Sequence, residues 1–125
     1  MFVNNRVINN VENLNSEYQH STPFKHVVID NFFSESRLRM LLDEFPSRKG
    51  GKLKSDYGGT GIKAGTSTVK DFGETFQQWD SYISSEKFSK LMEQITGINK
   101  LLYDPYYQGA GIHENFEGYR SNVHM

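Results

Sequence analysis

The stretch YYQGAGIHENFEGYRSNVHM, residues 106–125, closes the sequence and holds two of its four histidines, His113 and His124. From Asn122 onward polar and apolar residues alternate. Strand side chains alternate between faces, so a strand here places Asn122 and His124 on one side and Val123 and Met125 on the other. Gly109 and Gly111 fit a strand containing a bulge or a close backbone approach. A histidine on the polar face of a half-buried strand is a candidate metal ligand. A solvated or hydrogen-bonded histidine is the plainer reading.

The ligand reading has a definite chemistry. Non-haem iron oxygenases bind their metal through two histidines and one carboxylate, and the remaining positions stay open for co-substrate and oxygen. Two ligands spaced His-x-Asp on a strand point the same way and chelate one ion. His124-Met125 supplies the first two residues of such a triplet, and its acid would be residue 126. His113-Glu114 opens like a zinc-protease motif, but position 117 is Glu rather than His, and the flanking glycines oppose the helix that motif needs.

Working back from this stretch, Phe88, Leu91, Met92 and Ile95 form a helical stripe, with Ser84 or Ser85 to start it and Gly97 to end it. Phe72, Phe76, Trp79 and Ile83 form another. Both helices are expected to pack on one face of a sheet. Ser34 is placed to cap a helix bearing Leu38, Leu41, Leu42 and Phe45, a stripe expected to face the core, and Pro46 stops it. His26 to Asp30 reads as a short buried strand. Residues 1–21 read as a flexible, asparagine-rich leader with a short strand at Arg6-Val7-Ile8, because asparagine side chains compete with backbone hydrogen bonds.

Residues 47–70 are rich in glycine and lysine, but they lack a phosphate cradle. Gly59 to Gly65 is one residue too long for the dinucleotide fingerprint, and Gly51-Lys52 is followed by Leu53 instead of a hydroxyl residue. A surface loop is expected, with a lid or substrate-contacting arm as its functional version.

The segments Pro23–Phe33, Glu44-Phe45-Pro46, Phe88–Gly97, Asp104-Pro105-Tyr106-Tyr107, Gly109–His113 and Asn122-Val123-His124, in that order, resemble the iron(II)/2-oxoglutarate-dependent dioxygenases of the prolyl 4-hydroxylase-like family. The resemblance implies that residues 22–125 are the N-terminal portion of an oxygenase domain whose sequence continues into the Asp of the iron motif. It implies an α+β fold, with helices supporting the first strands of a double-stranded β-helix (jelly roll) that is incomplete in this chain. It implies His124 as a ligand of iron(II) and His113 beside the 2-oxoglutarate or substrate pocket; a plain hydrogen-bonded strand histidine is the other reading of His113. Tyr106, Tyr107 and Tyr119 either supply hydroxyls to that pocket or anchor the sheet. The implied activity is hydroxylation of a C–H bond in a peptide or small-molecule substrate, with this chain inactive by itself. A non-catalytic remnant or interaction module is the alternative.

Composition sets the outer bounds. The 125 residues fit one small domain, and a net charge of −1 gives no electrostatic case for nucleic acid or an anionic membrane. With no cysteine there is no disulfide or thiolate zinc site. No apolar run approaches the roughly 20 residues that span a bilayer, and Met1–Asn5 does not open a signal peptide, so a soluble, cytoplasmic protein is expected.

Overall fold

A computed structural model describes residues 1–45, 54–55, 63–66, 69–107 and 112–115. Five α-helices dominate them: α1 (Asn5–Ile8), α2 (Val11–His20), α3 (Glu35–Asp43), α4 (Glu74–Ile83) and α5 (Glu86–Thr96). Three short strands, β1 (Lys54–Ser55), β2 (Lys63–Thr66) and β3 (Ile112–Asn115), pair antiparallel in the order β1-β2-β3. The class is therefore helical. The expected α+β arrangement, helices supporting the first strands of a jelly roll, is overturned, because the described residues contain no jelly-roll strands and the helices pack on one another.

α5 forms as its sequence dictates. The Ser85 hydroxyl accepts from the Phe88 N–H at 3.2 Å, and Gly97 ends the helix in the left-handed conformation at φ 74°. Leu91 and Ile95 on its inner face meet Val3, Val7 and Leu14 in a buried cluster, where Ile95 is only 2% exposed. The partner of α5 is α2 rather than a sheet. Asn15 Nδ2 donates to the Ile95 carbonyl at 3.0 Å, and Gln19 Nε2 to the Thr96 carbonyl at 2.9 Å. Two carbonyls that the helix end leaves unpaired are thus satisfied from outside. A Cβ on Gly97 would lie 2.8 Å from Gln19 Nε2, so close approach as well as backbone conformation requires glycine there.

The N-terminal residues correct the expectation of a flexible leader. Residues 1–21 carry α1 and α2 and supply Val3, Val7 and Leu14 to the core. Arg6-Val7-Ile8 is helical rather than a strand. Two of its asparagines serve helix ends: Asn4 Oδ1 accepts from the Arg6 N–H at 3.1 Å, and Asn15 reaches the end of α5. The Asn4 N–H donates to the Phe32 carbonyl at 2.8 Å and the Ser34 N–H to the Phe2 carbonyl at 2.7 Å. These bonds flank an isolated antiparallel bridge between Val3 and Phe33.

His26 to Asp30 also differs from the expected buried strand. Val27 and Ile29 pack on the core and Val28 is exposed, so the faces alternate, but the segment pairs with no neighbouring strand among the described residues. The stripe on α3 is only partly inward. Leu41 and Phe45 pack against a second buried cluster of Val69, Phe72 and Phe76, whereas Leu38 is exposed and Leu42 is 68% exposed. The Ser34 hydroxyl does not cap α3; it bonds the Ser36 hydroxyl at 3.0 Å.

Leu91→Ala should therefore cost about 2–5 kcal/mol, as a buried large-to-small change does, while Leu42→Ala should stay within about 0.5 kcal/mol of the parent. Urea denaturation of both variants measures the contrast, and equal losses would mean that the two faces have been assigned wrongly.

Candidate functional site

The described residues concentrate polar chemistry around α4. Its N-terminus is held by a side chain from another helix. The carboxylate of Glu44, at the end of α3, accepts from the Thr75 N–H at 2.9 Å, the Thr75 hydroxyl at 2.7 Å and the Phe76 N–H at 3.2 Å. This is N-capping in trans, with the negative charge at the positive end of the helix dipole. Gly73 makes room for it, since a Cβ there would lie 2.6 Å from the Glu44 carboxyl carbon. The Thr75 hydroxyl bond, then the two backbone bonds, hold the Glu44 carboxyl below its ordinary value against the opposing effect of burial. Trp79 on the next turn lies edge-on to Phe2 and Phe33, with ring centroids 5.3 and 4.9 Å away.

So positioned, α4 presents Asp80 to the segment after α5. Asp80 Oδ1 accepts from the hydroxyls of both Tyr103 and Tyr107. The two rings meet edge to face at 6.0 Å and 90°. The Leu101 N–H donates to Glu93 Oε1 at 3.1 Å, which runs the segment back along α5. The Asp104 side chain accepts from the Tyr106 N–H at 2.9 Å. Tyr107 itself sits at φ 53°, a left-handed conformation that costs a non-glycine residue about 1–3 kcal/mol and persists only where its surroundings impose it. Burial and then the bond to Asp80 push the Tyr107 phenol far above its ordinary value. Burial and Asp80 raise Tyr103 as well, partly opposed by its contact with Tyr107. Both phenols stay protonated donors at neutral pH.

Beside these phenols lies a cavity of about 350 Å³. Ile83, Phe88, Met92, Leu101 and Leu102 give it apolar walls, and Ser89, Tyr103, Asp104 and Tyr107 its polar atoms. The Ser89 hydroxyl donates to the Ser85 carbonyl at 3.3 Å. Leu102 and Tyr106 stand at 93% and 81% exposure in the same segment.

The residues singled out in the sequence fall differently. His113 lies in β3, opposite Gly65 of β2. His124 and Tyr119 lie outside the described residues, as does most of the glycine- and lysine-rich stretch. His20 Nδ1 donates to the Ser16 carbonyl at 2.7 Å and His26 Nδ1 to the Phe24 carbonyl at 2.8 Å, so each is occupied locally. Among the described residues no group of three or more His, Asp or Glu side chains comes close enough to hold a metal. Of the tyrosines named from the sequence, Tyr107 reaches the cavity. Asp80 and Tyr103 are not among the residues that the sequence motifs single out. A signal for Asp80 nonetheless exists: four residues after Phe76 and three before Ile83, it places a carboxylate on the apolar face of α4.

Comparison with family models, curated proteins and solved structures finds no match for this chain. Among the described residues no helix is long and apolar enough to cross a membrane.

The Glu44 clasp gives a pH prediction. Its folded value is depressed, so its contribution is fully present above the ordinary carboxyl value of 4.5 and is lost as pH falls below that through the folded value. At pH 7 Glu44→Gln should be less stable than the parent by about 1 kcal/mol, the usual worth of a helix cap. The gap should narrow as acid is added below pH 4.5. Urea midpoints of both proteins across that range provide the measurement, and a gap independent of pH would show that the charge plays no part.

Proposed function

We propose that this chain is part of a cytoplasmic iron(II)- and 2-oxoglutarate-dependent oxygenase that hydroxylates a C–H bond of a peptide or small molecule. The ordered series of segments from Pro23 to His124 that resembles the prolyl 4-hydroxylase-like family supports this reading. His124 would ligate iron(II), and His113 on β3 would lie beside the 2-oxoglutarate pocket. The described residues do not by themselves form a metal site, so on this reading the other ligands belong to sequence outside them.

A second reading, a non-catalytic interaction module, draws support from the exposure of Leu102 and Tyr106 beside the apolar cavity. One assay separates the two: oxygen-dependent formation of succinate from 2-oxoglutarate with iron(II), by the product of the complete reading frame. On the oxygenase reading that protein turns over, and His124→Ala lowers the rate by more than about 100-fold, beyond what losing even an outer partner of a metal ligand costs. Turnover at the parental rate in His124→Ala removes His124 from the metal. Absence of succinate in the parent favours the interaction module.

A further inference from the structure

The segment that follows α5 forms one wall of the cavity without filling it. The described lining comes from two bodies. Ile83, Phe88, Ser89 and Met92 belong to α4 and α5, and residues 101–104 with Tyr107 belong to the segment. Across the space of about 350 Å³ left between them the two sides gain no dispersion contact. Leu102 and Tyr106 stand 93% and 81% exposed, so neither draws the segment inward. The segment keeps its shape through its own bonds. The Asp104 side chain accepts from the Tyr106 N–H at 2.9 Å, the Asp104 carbonyl from the Tyr107 N–H at 3.3 Å, and the rings of Tyr103 and Tyr107 meet edge to face. The Leu101 N–H fastens it to Glu93 and both phenols fasten it to Asp80, with Tyr107 also packed on the second buried cluster. Both of its ends are strained. Lys100 lies at φ 60° and Tyr107 at φ 53°, left-handed conformations that a residue with a side chain keeps only while its surroundings impose them.

We infer that residues 100–107 form a strap that swings off α4 and α5 as one body, latched by Asp80, and that this movement opens the cavity. Release of the phenols lets the left-handed backbone at both ends relax. A segment with few buried apolar contacts opens at a lower free energy than the core on which it lies, so the strap moves while α2 and α5 stay paired. The inference goes beyond the oxygenase reading and does not depend on it.

Amide hydrogen exchange of the full chain reads the movement, with the Leu101 N–H reporting on the strap and the Ile95 N–H on α5. Tyr107→Phe keeps the ring and removes one bond to the latch, and position 107 bonds neither Leu101 nor Glu93. It should speed Leu101 exchange by about tenfold or more, the factor that one hydrogen bond to a charged group is worth, and leave Ile95 as in the parent. Peroxide should oxidise Met92, in the cavity wall, faster in that variant, with Met40, exposed on α3, oxidised at the parental rate. A measurement on the unaltered protein guards against a variant that fails to fold. In dilute urea Leu101 exchange should accelerate before that of Ile95, because the opening of a whole body exposes surface and a fluctuation at one amide does not. Leu101 exchange that ignores Tyr107→Phe, or ignores urea in the parent, overturns the strap. Equal acceleration at Ile95 overturns its independence of the core, and Met92 oxidation at the parental rate overturns the opening of the cavity.

Discussion

The pairing of α2 with α5 is the constraint on which the rest of the described structure depends. Leu14 and Val7 meet Leu91 and Ile95 in the tightest part of the core. The amides of Asn15 and Gln19 then fix where α5 stops, by bonding the carbonyls of Ile95 and Thr96. Because Gln19 crowds Gly97, the turn out of α5 must be taken by a residue without a side chain, at positive φ. That turn sends the chain back along α5 through the Leu101–Glu93 bond and brings Tyr103 and Tyr107 onto Asp80. The cavity is thus set up by contacts some distance from it.

The second constraint is electrostatic and is applied twice along α4. At its first turn Glu44 places a carboxylate where the helix presents unpaired N–H groups, an arrangement that favours the charged form. Near its end Asp80 places a carboxylate against two phenols, which favours the neutral form of the phenols. α4 is held by one acid and holds the following segment by another. The left-handed backbone of Tyr107 is consistent with this, since its hydroxyl bond to Asp80 and its contact with the second buried cluster both oppose relaxation.

What is legible in the sequence follows the range of the interactions. α5 is readable because all its determinants are local: Ser85, Gly97 and apolar residues at helical spacing. α4 is readable in the same way from Phe76, Trp79 and Ile83. The N-terminal asparagines mislead because an asparagine that favours a turn and one that caps another helix look identical until the partner is known. For Asn15 the partner carbonyl lies 80 residues away. Val27 and Ile29 alternate with Val28 as in a sheet, yet one apolar edge laid on helices needs the same alternation. The α3 stripe misleads because helical spacing does not show how wide the buried face is: Leu41 and Phe45 meet the second buried cluster, and Leu38 and Leu42 stay outside. At the candidate site the helical stripes bring Ile83, Phe88 and Met92 into view and the resemblance Asp104 and Tyr107, whereas Asp80 gains its role from Tyr103 and Tyr107, which follow the whole of α5.

The chemistry of the cavity bears on the oxygenase proposal. 2-Oxoglutarate carries two carboxylates, and a pocket that holds it needs cations or free donors to replace the water it loses. The space beside Tyr103 and Tyr107 has carboxylates and committed hydroxyls instead. Among the described lining residues there is no lysine, arginine or histidine to pair such an anion. The polar side of the cavity is set from α4, because the one carboxylate of Asp80 holds both phenols.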